Sequence, residues 1–293
     1  MSLFIPPQSS LTVPFDGSFD LASHASSPEG DVPSKKSLEK KLKKRVKTIS
    51  ELQRKLYAHD RFSLLLVFQA MDAAGKDGTI RAVMSGVNPA GCQVFSFKSP
   101  SSQELDHDFM WRSNKRLPER GRIGIFNRSY YEEVLAVRVR SAYLANQRLP
   151  QPDMDKIWDE RFDSIRDQEQ HLARNGTVVL KFWLNVSRGE QKRRFLERLQ
   201  TPEKYWKFSK NDLSERGVWD DYMAAYQSLL NETSRSHAPW HAIPADNKPY
   251  MRYCVAKIIA DTMQALPMQY PEQSAEQLAQ FSDYIAHLDD EDQ

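Results

Sequence analysis

The chain has 293 residues, enough for one large α/β domain with a sizeable core. Its 41 basic residues nearly balance its 39 acidic ones, which argues against a protein whose whole surface binds polyanions. No apolar run approaches the roughly 20 residues that span a bilayer, and the N-terminus lacks the basic-then-apolar order of a secretory signal. The sequence therefore predicts a cytoplasmic protein that makes no membrane contact.

Differences in composition along the chain predict its domain organisation. Residues 1–34 contain five prolines and no sustained hydrophobic period, which predicts an arm that lies on the surface or is partly disordered. Residues 35–268 are predicted to form the main domain. Its first helix has a basic face, because ten Lys and Arg residues occur at 35–55 among periodic apolar ones. The remaining residues, 269–293, are predicted to form an acidic tail.

Five apolar runs of strand length predict a sheet, and they lie at residues 62–68, 93–98, 122–127, 177–186 and 241–244. Helical patterns of ten or more residues separate most of them. This alternation predicts an α/β fold with a mostly parallel five-stranded sheet flanked by helices. One helix is expected to open at Ser101, where Glu104 completes a capping box, and to stop near Pro118. Another should end at Asn175-Gly176, because glycine suits the left-handed helix cap.

The segment 70–79 carries the strongest chemical signal, because it follows a predicted buried strand and leads into a helix. A loop that cradles phosphate needs small residues, a helix N-terminus with free amides, and a lysine as point charge. Lys76 is expected to be that lysine, exposed in the loop. The predicted phosphate- or nucleotide-binding residues around it are Ala73, Ala74, Gly75, Asp77, Gly78 and Thr79. Ala70 and Asp77 break the usual pattern, so a plain strand-to-helix turn with a surface lysine remains an alternative.

Asp72 is an unusual residue for such a loop. A carboxylate beside bound phosphates repels them unless a metal ion lies between the two. Asp72 therefore predicts a metal site. The alternative is that its side chain only caps the following turn.

Polar residues appear abruptly after the predicted strand at 122–127. In doubly wound sheets, ligands bind at the carboxyl ends of the strands. Asn127 predicts a metal contact through its carbonyl oxygen, directly or through water, and Arg128 supplies a planar fork for phosphoryl oxygens. Glu132 and Glu133 are candidates for binding a nucleotide or a second metal. An ion pair of either glutamate with Arg128 is the structural alternative.

A basic and aromatic stretch at 187–217 is typical of a lid that closes over phosphates and excludes water. Its predicted phosphate ligands are Lys192, Arg193, Arg194, Lys204 and Lys207. A solvated charged face is the alternative interpretation. The turn that contains Asp246 and Lys248 has either a site role or a structural one. The histidines predicted to be structural are His107, His237 and His241.

Five strings of residues, in this order and spacing, resemble the polyphosphate kinase 2 family. They are Asp72-Ala-Ala-Gly-Lys-Asp-Gly78, Phe126-Asn-Arg-Ser-Tyr-Tyr-Glu132, Lys204-Tyr-Trp-Lys-Phe208, Trp219-Asp-Asp-Tyr222 and Ala238-Pro-Trp-His-Ala-Ile-Pro-Ala-Asp246. The resemblance covers roughly residues 35 to 265. It implies a P-loop kinase fold similar to that of thymidylate kinase, with a helical lid over a basic channel. It also implies Mg²⁺, or Mn²⁺ in its place, as the cofactor.

The resemblance implies transfer of the terminal phosphoryl group of polyphosphate to AMP or ADP, in a reversible reaction. The substrates implied are inorganic polyphosphate, AMP, ADP and ATP, with GMP and GDP as further acceptors, and the assembly implied is a dimer or tetramer of identical chains. Asn127 and Glu132 stand where members that favour nucleoside diphosphates have Asp and Asn. This pair resembles the third class of the family, which takes AMP through ADP to ATP.

The catalytic residues that the resemblance implies are Asp72, Lys76, Asn127 and Arg128. Lys76, Arg81 and Lys98 join the lid residues as expected polyphosphate ligands. Two other functions stay open at this point. The same loop would serve an ATP-dependent nucleotide kinase, and a polyanion- or nucleic-acid-binding protein could retain it without turnover. Nucleic acid is not an expected partner, because the sequence contains no recognised nucleic-acid module.

Overall fold

The computed structural model describes residues 3–291, in which helices and strands alternate. In chain order the elements are α1 (Lys35–His59), β1 (Ser63–Gln69), α2 (Lys76–Met84), β2 (Cys92–Ser96), α3 (Ser102–Leu105), α4 (Trp111–Asn114), β3 (Ile123–Asn127), α5 (Ala136–Val139), α6 (Ile157–Arg174), β4 (Thr177–Asn185), α7 (Arg188–Leu199), α8 (Lys210–Gly217), α9 (Trp219–Thr233), β5 (Trp240–Pro244), α10 (Lys248–Ala265) and α11 (Ala275–Glu291). Short 3-10 turns connect several of them.

The five strands form one sheet in the order β2-β3-β1-β4-β5, and every pairing between them is parallel. β1 and β4 are buried along their whole length, as expected for strands that helices cover on both faces. Each predicted strand is confirmed to within one or two residues at either end. The α/β fold with a parallel five-stranded sheet is therefore confirmed.

The helix ends follow the chemistry of their capping residues. The Ser34 side chain accepts a hydrogen bond from the Ser37 amide and begins α1, whose apolar face, including Leu38 and Ile49, is buried. α1 packs against α10. At the end of α6, Gly176 has a φ angle of 87°, the left-handed conformation predicted for this cap.

The single helix predicted from Ser101 towards Pro118 is wrong. The capping box is present, since the Glu104 carboxylate accepts from the Ser101 amide at 2.7 Å. However, α3 ends after one turn, and the Asp108 carboxylate accepts a hydrogen bond from the Met110 amide at 2.9 Å. This local bond offers the backbone an alternative to the helix, so a second short helix, α4, starts afresh.

The described part of the N-terminal arm follows the open edge of β5. The Val13 amide donates to the Trp240 carbonyl at 2.9 Å, and the Ala242 amide donates to the Leu11 carbonyl at 2.8 Å. Val13 is fully buried by this contact. The arm therefore satisfies backbone groups that an edge strand would leave open.

At the other end of the chain, α11 exposes the side chains of Leu278, Phe281, Tyr284, Ile285 and Leu288. The expected acidic tail thus contains a helix, whereas residues 292–293 lie outside the described part of the chain. Among residues 3–291, no helix combines the length and the apolar character needed to span a membrane.

His241 is a buried histidine in β5 with a structural contact, as predicted. Its Nδ1 atom lies 3.3 Å from the Thr12 hydroxyl of the arm, while its Nε2 atom has no hydrogen-bond partner among residues 3–291. Burial, together with the smaller effect of the Lys181 charge, lowers the pKa of this imidazole to about 3. His241 is therefore neutral in the folded protein.

We expect His241 to make the protein sensitive to mild acid. The folded pKa lies below the usual histidine value, so only the unfolded chain takes up this proton as the pH falls below about 6.5. At about pH 5, protonation of His241 in the unfolded chain should therefore have lowered the free energy of unfolding by up to about 2 kcal/mol. Urea unfolding at about pH 7.5 and pH 5 should show a smaller loss for His241→Gln than for the wild type. The exposed His107→Gln is the control, and equal losses for all three proteins would contradict the expectation.

Candidate active site

The loop after β1 lies at the carboxyl edge of the sheet and leads directly into α2. Gly75 has a φ angle of 109°, a conformation that side chains rarely adopt. A Cβ at this position would approach Met251 Cε at 3.3 Å. Ala73 also has a positive φ, 62°, which is uncommon for alanine. The chain bends sharply here, and α2 presents the amides of its first turn, Lys76, Asp77 and Gly78, at the bend.

Two predicted members of the loop bind other parts of the loop. Ala74 is fully buried, and its amide donates to the Met71 carbonyl at 3.3 Å. Thr79 is also fully buried, and both its amide and its hydroxyl donate to the Gly75 carbonyl at 3.0 Å. These contacts favour a role for Ala74 and Thr79 in holding the loop conformation.

Lys76 is buried, in contrast to the exposed lysine that the sequence predicts. Its side-chain Nζ donates to the Ala70 carbonyl at 2.7 Å and approaches the Met71 carbonyl at 3.4 Å. Burial lowers the pKa of Lys76 to about 8, and the nearby Arg128 adds to the effect. The two loop carbonyls need hydrogen-bond donors, and the Lys76 ammonium group supplies them. A phosphate bound at the loop would give this charge a stronger partner.

Arg128 connects the β3 end to the loop. Its guanidinium donates to the Asp72 carboxylate at 2.7 Å and lies 3.7 Å from the Glu132 carboxylate. The negative charge of Glu132, and to a smaller extent that of Asp72, raises the pKa of Arg128 above its usual value. The backbone of Arg128 has a φ of 62°, uncommon for a residue of this size. The structure therefore holds Arg128 between two carboxylates at the carboxyl edge.

Asn127 and Asp77 form a pair at the same edge. The Asn127 side-chain amide donates to the Asp77 carboxylate at 2.7 Å and lies 3.4 Å from the Ser96 hydroxyl. The usual arrangement has a hydroxyl at the loop position and a carboxylate at the strand end. Here the carboxylate stands in the loop and the strand supplies a neutral amide, so the pair retains one negative charge.

An aromatic cavity of about 320 Å³ opens on one side of the loop. We define it by Phe97, Arg112, Tyr143, Asn211, Tyr222 and Tyr226, with Asp72, Arg128 and Glu132 also in its lining. Burial raises the pKa of Tyr222 and of Tyr226, so both phenols stay protonated at neutral pH. Sequence reasoning gave no site role to these tyrosines, although Tyr222 ends one of the strings that carry the resemblance.

Glu133 also lines this cavity, but its carboxylate is bound by protein groups. Arg161 donates to it at 2.6 Å and Gln147 donates at 2.7 Å, and the Arg161 and Glu133 side chains are both nearly inaccessible. This arrangement favours a supporting role for Glu133 over the nucleotide contact that the sequence predicts.

A second depression, a basic cleft of about 160 Å³, is lined by other residues of the loop, Ala73, Gly75 and Gly78. We define it by its basic side chains Arg194, Arg198, Lys204, Lys207, Lys248 and Arg252. One acidic residue, Glu197, also lines it and accepts from Lys204 at 2.5 Å. Sequence reasoning placed Arg198 in the basic stretch 187–217 without naming it as a ligand, and it missed Arg252, which stands in no recognisable motif. Lys248, for which the sequence left both a site role and a structural role open, lines the cleft.

Arg194 is buried and bonds to the protein through all of its N–H groups. It donates to Glu190 and to four backbone carbonyls, those of Ala73, Ala74, Ala245 and Asp246, at distances from 2.6 to 3.3 Å. Its side chain is only 4% exposed. The expected polyphosphate contact of Arg194 is therefore replaced by a structural one, since these carbonyls leave no N–H group for a ligand.

Four predicted polyphosphate ligands lie outside the basic cleft. Lys98 lines the aromatic cavity at the end of β2. Arg193 is exposed and paired with Glu190 on its own helix, and Lys192 is exposed beside it. Arg81 is exposed on α2, near Arg252, whose pKa is lowered by burial and then by the charge of Arg81. The structure thus brings Lys204 and Lys207, but not the whole predicted set, to one cleft.

The structure also shows the surroundings of Asp246 and the state of the two cysteines. The Asp246 carboxylate accepts from the Ser187 amide at 2.8 Å and from the Ser26 hydroxyl at 2.9 Å, which supports the structural interpretation of its turn. Cys92 and Cys254 are free thiols. Among residues 3–291, no group of three or more His, Cys, Asp or Glu side chains could hold a metal ion without further ligands.

The parallel sheet, the phosphate loop at the end of β1 and the basic cleft beside it define the chain as a phosphotransferase of the P-loop kinase type. Enzymes of this type generally use a divalent metal ion. A family model described as Polyphosphate kinase 2 matches residues 33–273. The chain belongs to this family, as the resemblance of its motifs implies.

Named relatives and a solved structure support this assignment. An ADP-polyphosphate phosphotransferase of Rhodopseudomonas palustris is 55% identical over 241 residues, which cover 82% of this chain and 83% of the relative. An AMP/ADP-polyphosphate phosphotransferase of Meiothermus ruber is 46% identical over 224 residues, 76% of this chain and 80% of the relative. The crystal structure of Polyphosphate Kinase 2 from Arthrobacter aurescens TC1 superposes with a TM-score of 0.85 at 35% identity, and the match covers 97% of this chain and 99% of that one.

Proposed function

We propose that this protein transfers the terminal phosphoryl group of polyphosphate to AMP and ADP, in a reversible reaction. The observation that carries the proposal is the presence of two different cavities that are lined by different residues of one phosphate loop. The basic cleft suits a chain of phosphates, and Met251 is the only large apolar side chain in its lining. The aromatic cavity offers ring surfaces and polar groups of the kind that bind a nucleotide.

The residues at the loop have distinct roles in the proposed reaction. Phosphoryl transfer needs donor and acceptor in line and charge compensation on the moving group. Lys76 and the first-turn amides of α2 would hold the phosphates next to the transferred group. Arg128, held by Asp72 and Glu132, would stabilise the transferred group from the acceptor side. An acceptor phosphate is already ionised, so the reaction requires no general base.

We propose Mg²⁺ as the cofactor, with Mn²⁺ as a substitute. Mg²⁺ usually keeps several water ligands and binds one or two carboxylates together with substrate phosphates. The residues present fit this pattern, because Asp72 stands in the loop and the Asp77 carboxylate lies 2.7 Å from the Asn127 amide. Asp72 and the Asp77–Asn127 pair would hold the ion, and the ion would supply compensation for phosphate charge.

The acceptor class and the assembly are further parts of the proposal. We infer acceptance of both AMP and ADP, supported by Asn127 and Glu132 and by the names of the two relatives. GMP and GDP remain predicted as additional acceptors. We also propose that the protein forms a homo-oligomer. Within each chain, residues 35–268 would form the catalytic domain and residues 187–217 its lid.

One assay matrix tests the proposed function. Purified protein is incubated with Mg²⁺ and each of AMP, ADP, GMP and GDP, with either polyphosphate or ATP as donor, and the products are identified. Formation of ADP and ATP from polyphosphate is the expected result. Turnover with ATP as the only donor would identify an ordinary nucleotide kinase. Salt-dependent binding of polyphosphate without turnover would identify a polyanion-binding protein.

Simultaneous replacement of Lys204 and Lys207 by alanine should weaken polyphosphate binding selectively. Each cation that contacts a polyanion releases condensed counterions, so losing two should lower the slope of log affinity against log salt by about 1.4. The loss also removes the 2.5 Å ion pair of Lys204 with Glu197 and leaves that carboxylate with Arg193 at 3.7 Å. We expect a higher KM for long polyphosphate, while the KM for AMP should stay within about threefold, or roughly 0.65 kcal/mol.

The matched control for this double variant replaces the exposed Lys115 and Lys156 by alanine, which removes the same charge far from the cleft. It should leave both KM values unchanged. Equal losses for polyphosphate and AMP in the cleft variant would contradict the prediction. Such a result would assign the two lysines to closure of the lid or to the fold.

A further inference from the structure

A stripe of lysines runs along the exposed side of α1 and has no role in the proposed reaction. We define the lysine stripe by Lys36, Lys40, Lys43 and Lys47, all of which are exposed. Their spacing of four, three and four residues places them on one face of the helix. Over this distance the helix rises by about 17 Å. The lysine stripe is therefore an extended row of positive charge.

The start of α1 borders the basic cleft through a neighbouring groove. Lys35, the first residue of α1, lines this groove together with Arg193 and Lys248. Lys248 also lines the basic cleft, so the two depressions are neighbours that meet at this side chain. The groove has a volume of about 330 Å³. A chain that leaves the cleft past Lys248 therefore meets the beginning of α1.

Two acidic side chains in the groove are compensated by protein groups. Glu190 accepts hydrogen bonds from Arg193 and Arg194, and these bonds lower its pKa to about 2. Asp246 accepts from the Ser187 amide at 2.8 Å. Because both carboxylates already have donors, they oppose an anion less than unpaired carboxylates would.

A second set of contacts brings α1 close to the cleft. Arg252 of α10 lines the cleft, and a Cβ on Gly78 of the phosphate loop would lie 3.3 Å from its guanidinium. Burial, Arg81 and Arg194 lower the pKa of Arg252, while Glu39 of α1 raises it. Glu39 therefore lies within electrostatic range of a cleft residue, one helical turn from Lys36 and Lys43.

We propose that the lysine stripe of α1 is a second binding surface for polyphosphate, which holds the part of a long chain that extends beyond the basic cleft. This inference rests on the proposed function. A cleft of about 160 Å³ encloses only a short stretch of such a polymer. The rest of the chain must follow the protein surface or remain in solvent, and the groove at Lys35 leads it to a row of cations. Lys47 lies 3.9 Å from Glu51, but an exposed pair of this kind is weak enough for a polyanion to displace.

The stripe predicts a dependence on chain length that the cleft alone would not produce. A long polymer contacts both surfaces, whereas inorganic tetraphosphate fits within the cleft. Removing four contacts should reduce the slope of log affinity against log salt by about 3 for the long polymer. The affinity for the long polymer should fall about tenfold or more at low salt, and the affinity for tetraphosphate should stay the same.

The test replaces all four lysines of the stripe in the full chain, as Lys36→Gln, Lys40→Gln, Lys43→Gln and Lys47→Gln. Glutamine has a helix propensity similar to that of lysine, so α1 should keep its structure. The control has the same change in net charge at exposed positions on other elements, as Lys115→Gln, Arg116→Gln, Lys156→Gln and Arg174→Gln. Binding of tetraphosphate and of polyphosphate several hundred units long is measured by calorimetry at several salt concentrations.

Weaker binding of the long polymer by the stripe variant alone, with unchanged tetraphosphate binding, is the expected result. Wild-type affinity of the stripe variant for the long polymer would overturn the proposal. Equal losses for both probes would also overturn it, since the lysines would then act through the cleft or the fold. Turnover of polyphosphate and AMP by the wild type is measured separately. Absence of that turnover would refute the proposed function, while the binding comparison would still decide the role of the stripe.

Discussion

Replacement of Lys76 by alanine is expected to lower kcat by about a thousandfold or more. Lys76 is the cation of the phosphate loop, and removal of a cation that stabilises a transferred phosphoryl group costs about 10³ or more in rate. The side chain also donates to the Ala70 and Met71 carbonyls. Its loss should therefore reduce the free energy of unfolding by about 1 to 3 kcal/mol.

Two comparisons separate the catalytic and structural parts of this effect. Lys76→Met keeps the length of the buried stem and removes only the charge and the hydrogen bonds, so it should lose as much activity as Lys76→Ala. The exposed Lys115→Ala should behave like the wild type in both assays. Stability is measured by urea unfolding, and kcat is measured well below the unfolding midpoint. Near-normal turnover by either Lys76 variant would exclude the loop from the active site.

Asp72→Asn is expected to lower kcat by about 10² to 10³ and to raise the Mg²⁺ concentration required for half-maximal activity. The substitution keeps the size of the side chain but removes the charge that a cation needs. It also replaces the carboxylate that accepts from Arg128 at 2.7 Å. The measurement is a titration of initial rate against free Mg²⁺ at saturating polyphosphate and AMP.

The shape of this titration decides between two roles for Asp72. A shift to higher Mg²⁺ indicates a metal ligand. A lower plateau with an unchanged midpoint would instead mean that Asp72 acts only by holding Arg128, and the metal assignment would then be withdrawn. Asp220→Asn, at an exposed position of α9, is the control and should retain both the midpoint and the plateau.

The sheet could be predicted because its signals are local. Buried parallel strands are short apolar runs, and the residues that follow them are small or polar because the carboxyl edge binds the ligand. This reasoning located β1 with the loop around Lys76 and β3 with Asn127 and Arg128. Parallel strands bring their ends together, so the meeting of Asp72 and Arg128 followed from the fold class.

The partners of individual charges could not be predicted, because they depend on segments distant in the sequence. Arg193 and Arg194 are adjacent on α7, yet the first is exposed while the second bonds to carbonyls of two other loops. Nothing in a run of basic residues distinguishes them. Likewise, Lys76 looks like an exposed loop residue until the carbonyls of Ala70 and Met71 are known to surround its ammonium group.

The buried Arg194 has a mechanical consequence for residues 187–217. It fastens the middle of α7 to the phosphate loop and to the turn after β5, so this part of the helix cannot swing away without breaking several hydrogen bonds at once. Arg198, Lys204 and Lys207 lie beyond this point in the sequence. Opening of the cleft would therefore use a pivot after Arg194, so these three proposed polyphosphate ligands would move while the phosphate loop stays in place.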